Sequence, residues 1–140
     1  ISQRLRPGVL ADLGLLNSLS SLASDLTART GMPVTRGFVP GLPPLTPESE
    51  LVVYRVAQEA LTNVVRHARA TSVSLGLARV GDSVVLTVTD DGTGGADVRR
   101  GTGIHGMHER AQMVGGSLTV ATPEGGGTTV RLSVPAAGTP

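Results

Sequence analysis

Residues 73–90 read VSLGLARVGDSVVLTVTD. Val73, Leu75 and Leu77 alternate with small or polar residues, and Val84, Leu86 and Val88 repeat that period of two after Gly81-Asp82. Successive strand side chains point to opposite faces, so each half presents one apolar face. Two such runs joined by a short Gly-Asp turn form an antiparallel hairpin. Upstream the period lengthens. Thr46 is placed to cap a helix, Pro47 fits its first position, and Glu48 and Glu50 complement the positive end of its dipole. That helix is expected to run to about Arg69, with Leu51, Tyr54, Ala57, Leu61, Val64, Val65 and Ala68 as its apolar stripe. Downstream, a glycine-rich stretch from Asp91 to Gly106 leads into a short helix over about Ile104–Val114, stopped at Gly115-Gly116. Two further alternating strands follow, Leu118/Val120 and Val130/Leu132/Val134, joined through Pro123–Gly127.

At the other end, Leu5, Val9, Leu13, Leu16, Leu19, Ala23 and Leu26 recur every three or four residues, which predicts helix over residues 1–30. Arg6-Pro7-Gly8 should kink it, and Gly31 and Pro33 should end it. The pattern is already under way at Ile1, so the sequence is expected to begin inside a longer helix. Pro33–Val39 reads as an edge strand and residues 40–44 as a loop. The element order is helix, strand, helix, two strands, helix, two strands. It predicts an α/β (α+β) sandwich: a mixed, mostly antiparallel sheet with helices on one face.

Composition narrows the chemistry. The 140 residues suit one domain, and 39% hydrophobic against 16% charged is enough apolar content for a core. Cysteine is absent, which removes disulfides, thiol nucleophiles and Cys-ligated zinc. All twelve basic residues are arginine. Without lysine there is no P-loop and no Schiff base. A net charge of +1 gives no electrostatic footprint for nucleic acid, and Tyr54 and Phe38 are the sole aromatics, too few for base stacking. No nucleic-acid partner is expected. No run of 18 apolar residues and no leader pattern is present in the sequence, so a soluble, cytoplasmic fragment is expected, with any membrane anchor of the full-length protein upstream of it.

Four places could carry chemistry. Glu59, Asn63 and His67 are spaced by four on the second helix, with Arg66 beside them. A carboxylate, an amide oxygen and an imidazole in one row could hold a divalent ion with its phosphates, because Mg²⁺ takes oxygen ligands and keeps several waters. Asp90 ends a strand and is followed by Asp91-Gly92-Thr93-Gly94-Gly95. Its carboxylate could accept from an exocyclic amine while glycines let backbone approach a flat ring. Gly101-Thr102-Gly103-Ile104-His105-Gly106-Met107 opens a helix, where free N–H groups and the dipole favour an anion. Arg99, Arg100, His105, His108 and Arg110 add positive charge. The Gly-x-Gly-x-x-Gly spacing is not a dinucleotide fingerprint, since it follows a loop and lacks a surrounding βαβ unit. Gly126-Gly127-Thr128 precedes the last strand and offers a hydroxyl. Taken singly, the four patterns are equally a solvated helix face, an Asp-Gly turn, a glycine loop and a hairpin turn.

Together, their order closely resembles the ATP-binding domain shared by histidine kinases, gyrase, Hsp90 and MutL, the Bergerat-type fold. QEALTNVVRHARA (58–70) resembles the N box, TDDGTGG (89–95) the first glycine box and GTGIHGMHERAQMVGG (101–116) the second. The wording is similar to sensor kinases paired with NarL-type response regulators, and RLRPGVLADLGLLNSLSSLA (4–23) resembles the second helix of their dimerisation and phosphoacceptor domain. The resemblance implies residues 1–30 as the C-terminal part of that helix, 31–136 as the catalytic domain and 137–140 as a tail. It implies ATP and Mg²⁺ as cofactors, a cognate response regulator as partner, and a homodimer through the kinase's own dimerisation helices. It further implies Asp90 as acceptor from the adenine amine, with Gly92, Gly94 and Thr128 shaping the pocket. Asn63 would ligate Mg²⁺, Glu59 would be catalytic near the γ-phosphate, and Arg66 and His67 would lie by the phosphates. The second box, Gly101, Thr102, Gly103, Ile104, His105, Gly106 and Met107, would supply a lid hinge and phosphate-facing backbone. Six residues, Gly95 to Arg100, separate the glycine boxes, which implies a short lid. The family's phosphoacceptor histidine sits in a His-Asp or His-Glu pair on a dimerisation helix. No such pair is expected in this sequence, with His67 in the N box and His105 and His108 in the lid and following helix, so the acceptor is expected outside it. The alternatives are an anti-sigma-factor-type serine kinase, or a degenerate docking module on the same fold.

Overall fold

A computed structural model describes residues 14–92, 102–122 and 126–138, with backbone alone at His67, Ala68, Thr102 and Gly103. The elements are α1 (Leu15–Thr30), β1 (Val34–Phe38), α2 (Pro47–Asn63) continuing into a π turn (Val64–Ala68), β2 (Val73–Val80), β3 (Ser83–Asp90), α3 (Thr102–Met113), β4 (Ser117–Ala121) and β5 (Thr128–Pro135). The sheet runs β1-β2-β3-β5-β4. β1 lies parallel to β2, and the other neighbours are antiparallel. The mixed sheet and the element order expected from the sequence are therefore found, and the β2–β3 hairpin closes at Val80↔Ser83.

Alternation explains why the helices take one face. Val73, Leu75 and Leu77 of β2, Val84, Leu86 and Val88 of β3, and Val130, Leu132 and Val134 of β5 join a single core with α1, α2 and α3. The opposite face carries Ser74, Thr87, Thr89, Thr129, Arg131 and Ser133, partly or fully exposed. Burying a Leu or Val side chain contributes roughly 1.5–3 kcal/mol, so the helix layer holds the register of every strand through those inward rows. α2 begins as expected: Thr46 Oγ1 accepts from the Ser49 N–H at 3.1 Å, and Pro47 fills the first position.

Three expectations change. α1 starts at Leu15, with Gly14 at φ 81 before it, so the predicted helix over 1–30 is not continuous through residue 14. The kink at Arg6-Pro7-Gly8 and the stripe residues Leu5, Val9 and Leu13 lie outside the described residues. The buried face of α1 is Leu15, Ser18, Leu19, Ala23 and Leu26, whereas Leu16 is 39% exposed. Leu19, Ala23 and Leu26 of the expected stripe are thus buried, and α1 shares one core with the sheet. α2 also buries a broader face than one stripe. Val52, Val53, Val56 and Ala60 are core as well, because α2 lies between α1, α3 and the sheet, while Val65 is 44% exposed on the π turn.

Candidate functional site

The core is apolar except at a few points. Among the described residues Ser18, Ser49, Asn63, Asp90 and Thr128 are buried polar or charged groups. Three of these are positions that the sequence singled out. Asp90 is the last residue of β3 and pairs in register with Thr128, the first of β5. Both continue the inward rows of their strands, two residues beyond Val88 and Val130. Asn63 ends α2 next to the buried Leu61 and Val64, facing the same layer. Asn63 is 5% exposed, so the polar row of α2 is not a solvated helix face at that position.

Buried polar groups are nearly always bonded. Among the described residues the Asn63 amide nitrogen, the Thr128 hydroxyl and, away from these two, the Ser18 hydroxyl have no partner. Leaving such a group unsatisfied costs about 1–3 kcal/mol, and an orphaned donor next to a protected carboxylate is what a polar ligand would satisfy. Asp90 is held by its turn: the Gly92 N–H donates to Oδ1 at 2.8 Å. Burial pushes its carboxyl up, the Gly92 N–H pulls it down, the neighbouring Asp91 charge pushes it up and the Thr128 N–H pulls it down, with burial prevailing. A raised carboxylate in a protected spot readily accepts one more donor, which would favour its charged form.

The turn is closed from β5. The Gly127 N–H donates to the Gly92 carbonyl. Gly127 has φ +86, and a Cβ there would stand 2.8 Å from the Asp90 carbonyl oxygen, so only glycine fits. On the outer face the Thr89 and Thr129 hydroxyls meet at 3.2 Å and brace the same two strands.

The other expected residues are placed as follows. Glu59 is half-buried on α2 and Arg66 is exposed on the π turn. The His67 side chain and residues Gly94 and Gly101 lie outside the described residues, as do Arg99 and Arg100. Thr102 and Gly103 open α3. Ile104 packs against the core and Met107 is 1% exposed within it, so these two side chains anchor α3 rather than point to solvent. Gly106 lies between them on α3. His105 is exposed and meets Glu109 at 3.3 Å, one turn along α3. His108 is followed directly by Glu109, so a literal His-Glu pair does occur, on α3 and not on a dimerisation helix. Gly92 and Thr128 are buried beside Asp90.

The residues present fit a magnesium–phosphate group in kind. Asn63 offers an amide whose oxygen can ligate and whose nitrogen lacks an acceptor, and among the described residues no three His, Asp or Glu side chains converge. Mg²⁺ with phosphates needs only one or two protein ligands.

One contributor escaped the sequence reading. Asp91, read there as part of the turn, binds Thr71 and Ser72 across 20 and 19 residues. No local pattern signals that pairing.

Residues 48–138 match the family of histidine kinase-, DNA gyrase B- and HSP90-like ATPases. The match covers most of the chain, which belongs to this family and is an ATP-binding domain of the histidine-kinase type. The sensor histidine kinase YxjM of Bacillus subtilis is 35% identical over 86% of this chain and 30% of its own length. MctS of Rhizobium johnstonii, also a sensor histidine kinase, is 36% identical over 96% of this chain and 30% of its own. UhpB of Salmonella typhimurium, a histidine-protein kinase/phosphatase, is 34% identical over 94% and 27%. The chain thus spans about 30% of the length of these relatives. Among solved structures, the histidine kinase domain of Erythrobacter litoralis EL346 superposes with a TM-score of 0.67 at 24% identity, over 85% of this chain and 59% of that one. AdeS of Acinetobacter baumannii gives 0.69 at 13% identity, over 88% and 64%. Both are likenesses of fold. Among the described residues no helix is long and apolar enough to cross a membrane.

Proposed function

We propose that the chain binds Mg·ATP as the catalytic domain of a sensor histidine kinase, and donates the γ-phosphoryl group to a histidine on a separate phosphoacceptor helix. The observation that carries this is the set of buried polar groups in one apolar layer, Asp90, Thr128 and Asn63, two of them with orphaned atoms. Asp90 accepts from the adenine amine, and Thr128 supports it from β5. Gly92 and Gly127 bring backbone close to the ring. Asn63 would hold the metal and its phosphates, Arg66 would add charge beside them, and Glu59 would orient groups near the γ-phosphate. Magnesium would neutralise phosphate charge as it transfers, and the protein's share is positioning and electrostatic stabilisation. Gly101, Thr102, Gly103 and Gly106 present the start of α3 to the phosphates, with Ile104 and Met107 fixing its seat and His105 at its edge.

In this reading the phosphoryl group passes from the acceptor histidine to a response regulator aspartate in the cytoplasm. The kinase acts as a homodimer through helices that residues 1–30 lead from, with 31–136 carrying the chemistry and 137–140 a tail. The relatives named above are histidine kinases, which favours that class over a serine kinase on the same fold.

The test is incubation of this chain with labelled ATP and Mg²⁺, with binding followed by calorimetry. Saturable binding without stable label on the protein is expected. Stable label on any histidine, His108 beside Glu109 included, would overturn the placement of the acceptor.

A further inference from the structure

β3 leaves its ladder with β2 at Val73↔Asp90. Beyond that pair the β3 backbone turns away: the Gly92 N–H goes to Asp90 Oδ1, and the Gly92 carbonyl takes the Gly127 N–H. The Val73 N–H bonds the Pro33 carbonyl on the β1 side, so Ser72 is the residue whose N–H a straight β3 would have partnered. The Asp91 side chain supplies that partner and takes the Thr71 N–H as well. Its Oδ1 accepts from the Thr71 N–H at 2.8 Å and the Ser72 N–H at 3.1 Å. Its Oδ2 accepts from the Thr71 hydroxyl at 2.6 Å and the Ser72 hydroxyl at 3.2 Å. Four donors on one carboxylate hold it ionised, well below the usual carboxylate range, at about 2.

What this fork joins matters. Thr71 follows directly from the end of the α2 segment, through the π turn Val64–Ala68 and Arg69, which sits at φ 51. A π turn and a left-handed non-glycine residue are both costly backbone, and they persist when surrounding structure holds them. Asn63 lies on the near side of that strained segment and Asp90 immediately precedes Asp91. Asp91 therefore ties the segment that follows Asn63 to the turn that holds Asp90.

We propose that Asp91 is a positioning residue for nucleotide binding, a fork that sets the end of α2 against the Asp90 turn so that one ligand can span both. The inference rests on the ATP-binding reading above. Asp91 touches no ligand in this account. It acts by pre-organising the two halves, so its removal costs most for a ligand that needs both at once.

That distinction supplies the test. The parent chain and Asp91→Ala are titrated with Mg·ATP and, separately, with adenosine. Asp91→Ala is expected to weaken Mg·ATP about tenfold and adenosine less than about twofold, because the Gly92 and Gly127 bonds still hold the purine turn. Asp91→Asn, whose amide oxygen can still accept both backbone N–H groups, is expected to recover most of the loss. Thr71→Val combined with Ser72→Ala keeps Asp91 and removes the two hydroxyl donors. It is expected to give the same split at about threefold, and it stands in if Asp91→Ala does not fold. Equal weakening of both ligands, or of neither, would overturn the positioning role while leaving ATP binding intact. A parent chain that binds neither ligand would overturn both readings.

Discussion

Gly127→Ala isolates the close approach on which the purine turn depends. The added Cβ would sit 2.8 Å from the Asp90 carbonyl oxygen, at a backbone φ of +86. The left-handed conformation alone costs an L residue roughly 1–2 kcal/mol. Relieving an overpacked contact with backbone adds about 1–3 kcal/mol, because the carbonyl must move by several tenths of an ångström and the Gly127–Gly92 hydrogen bond moves with it. The sum is about 2–5 kcal/mol, against a total of about 5–15 for a domain, so the variant still folds. At this chain length about 4 °C is lost per kcal/mol, which puts the drop in Tm at roughly 8–20 °C. Gly41→Ala is the control: φ is +75 there, with nothing within 4 Å of the new Cβ. It should lose only the conformational share, about 4–8 °C. Thermal melts and ATP titrations of both variants are the assay. Gly127→Ala should also weaken ATP about tenfold or more, because the displaced carbonyl belongs to Asp90, whose carboxylate is proposed to read the base, and Gly41→Ala should not. Equal melting of the two variants with unchanged ATP affinity would refute the reasoning.

Asp90→Asn should weaken adenine nucleotides about 10–100-fold, the worth of a charge-assisted hydrogen bond of about 1.5–3 kcal/mol. It should leave the ligand-free Tm unchanged or raised, since burial disfavours the ionised carboxyl; a large fall in Tm with normal binding would contradict this. Asn63→Ala is expected to reduce ATP affinity more with Mg²⁺ than with a chelator, and equal affinities of the parent under both conditions would remove that claim. Asp91 sets an acid limb of stability. Its carboxyl is pulled from 3.8 to about 2 in the fold, so its contribution is complete above the unfolded value and is lost as pH falls from about 4 to 2. Tm measured from pH 5 to 2.5 should fall less steeply in Asp91→Asn than in the parent, and parallel curves would sink the assignment.

Much was legible in the sequence because it depends on neighbours along the chain. Strand alternation at 73–90 depends on a two-residue period, the start of α2 on Thr46 and Pro47, and the stop of α1 on Gly31, whose N–H bonds the Thr27 carbonyl. Asp90, Gly92 and Thr128 were marked by residue type and spacing. Tertiary structure decided what periodicity leaves open. A helix with leucines on several sides can turn any of them inward, and packing against the sheet chose Leu15 over Leu16 and widened the buried face of α2 to Val52 and Val53. The burial of Asn63 comes with the packing of α2 against α3 and the sheet, which spacing along the chain does not show. The Asp91 fork joins residues 20 apart, and its need arises only when β3 bends out of its ladder. Local chemistry writes the period, the caps and the candidate side chains into the chain. Which polar groups are stripped of water, and which find a partner, is settled only when distant segments share one core.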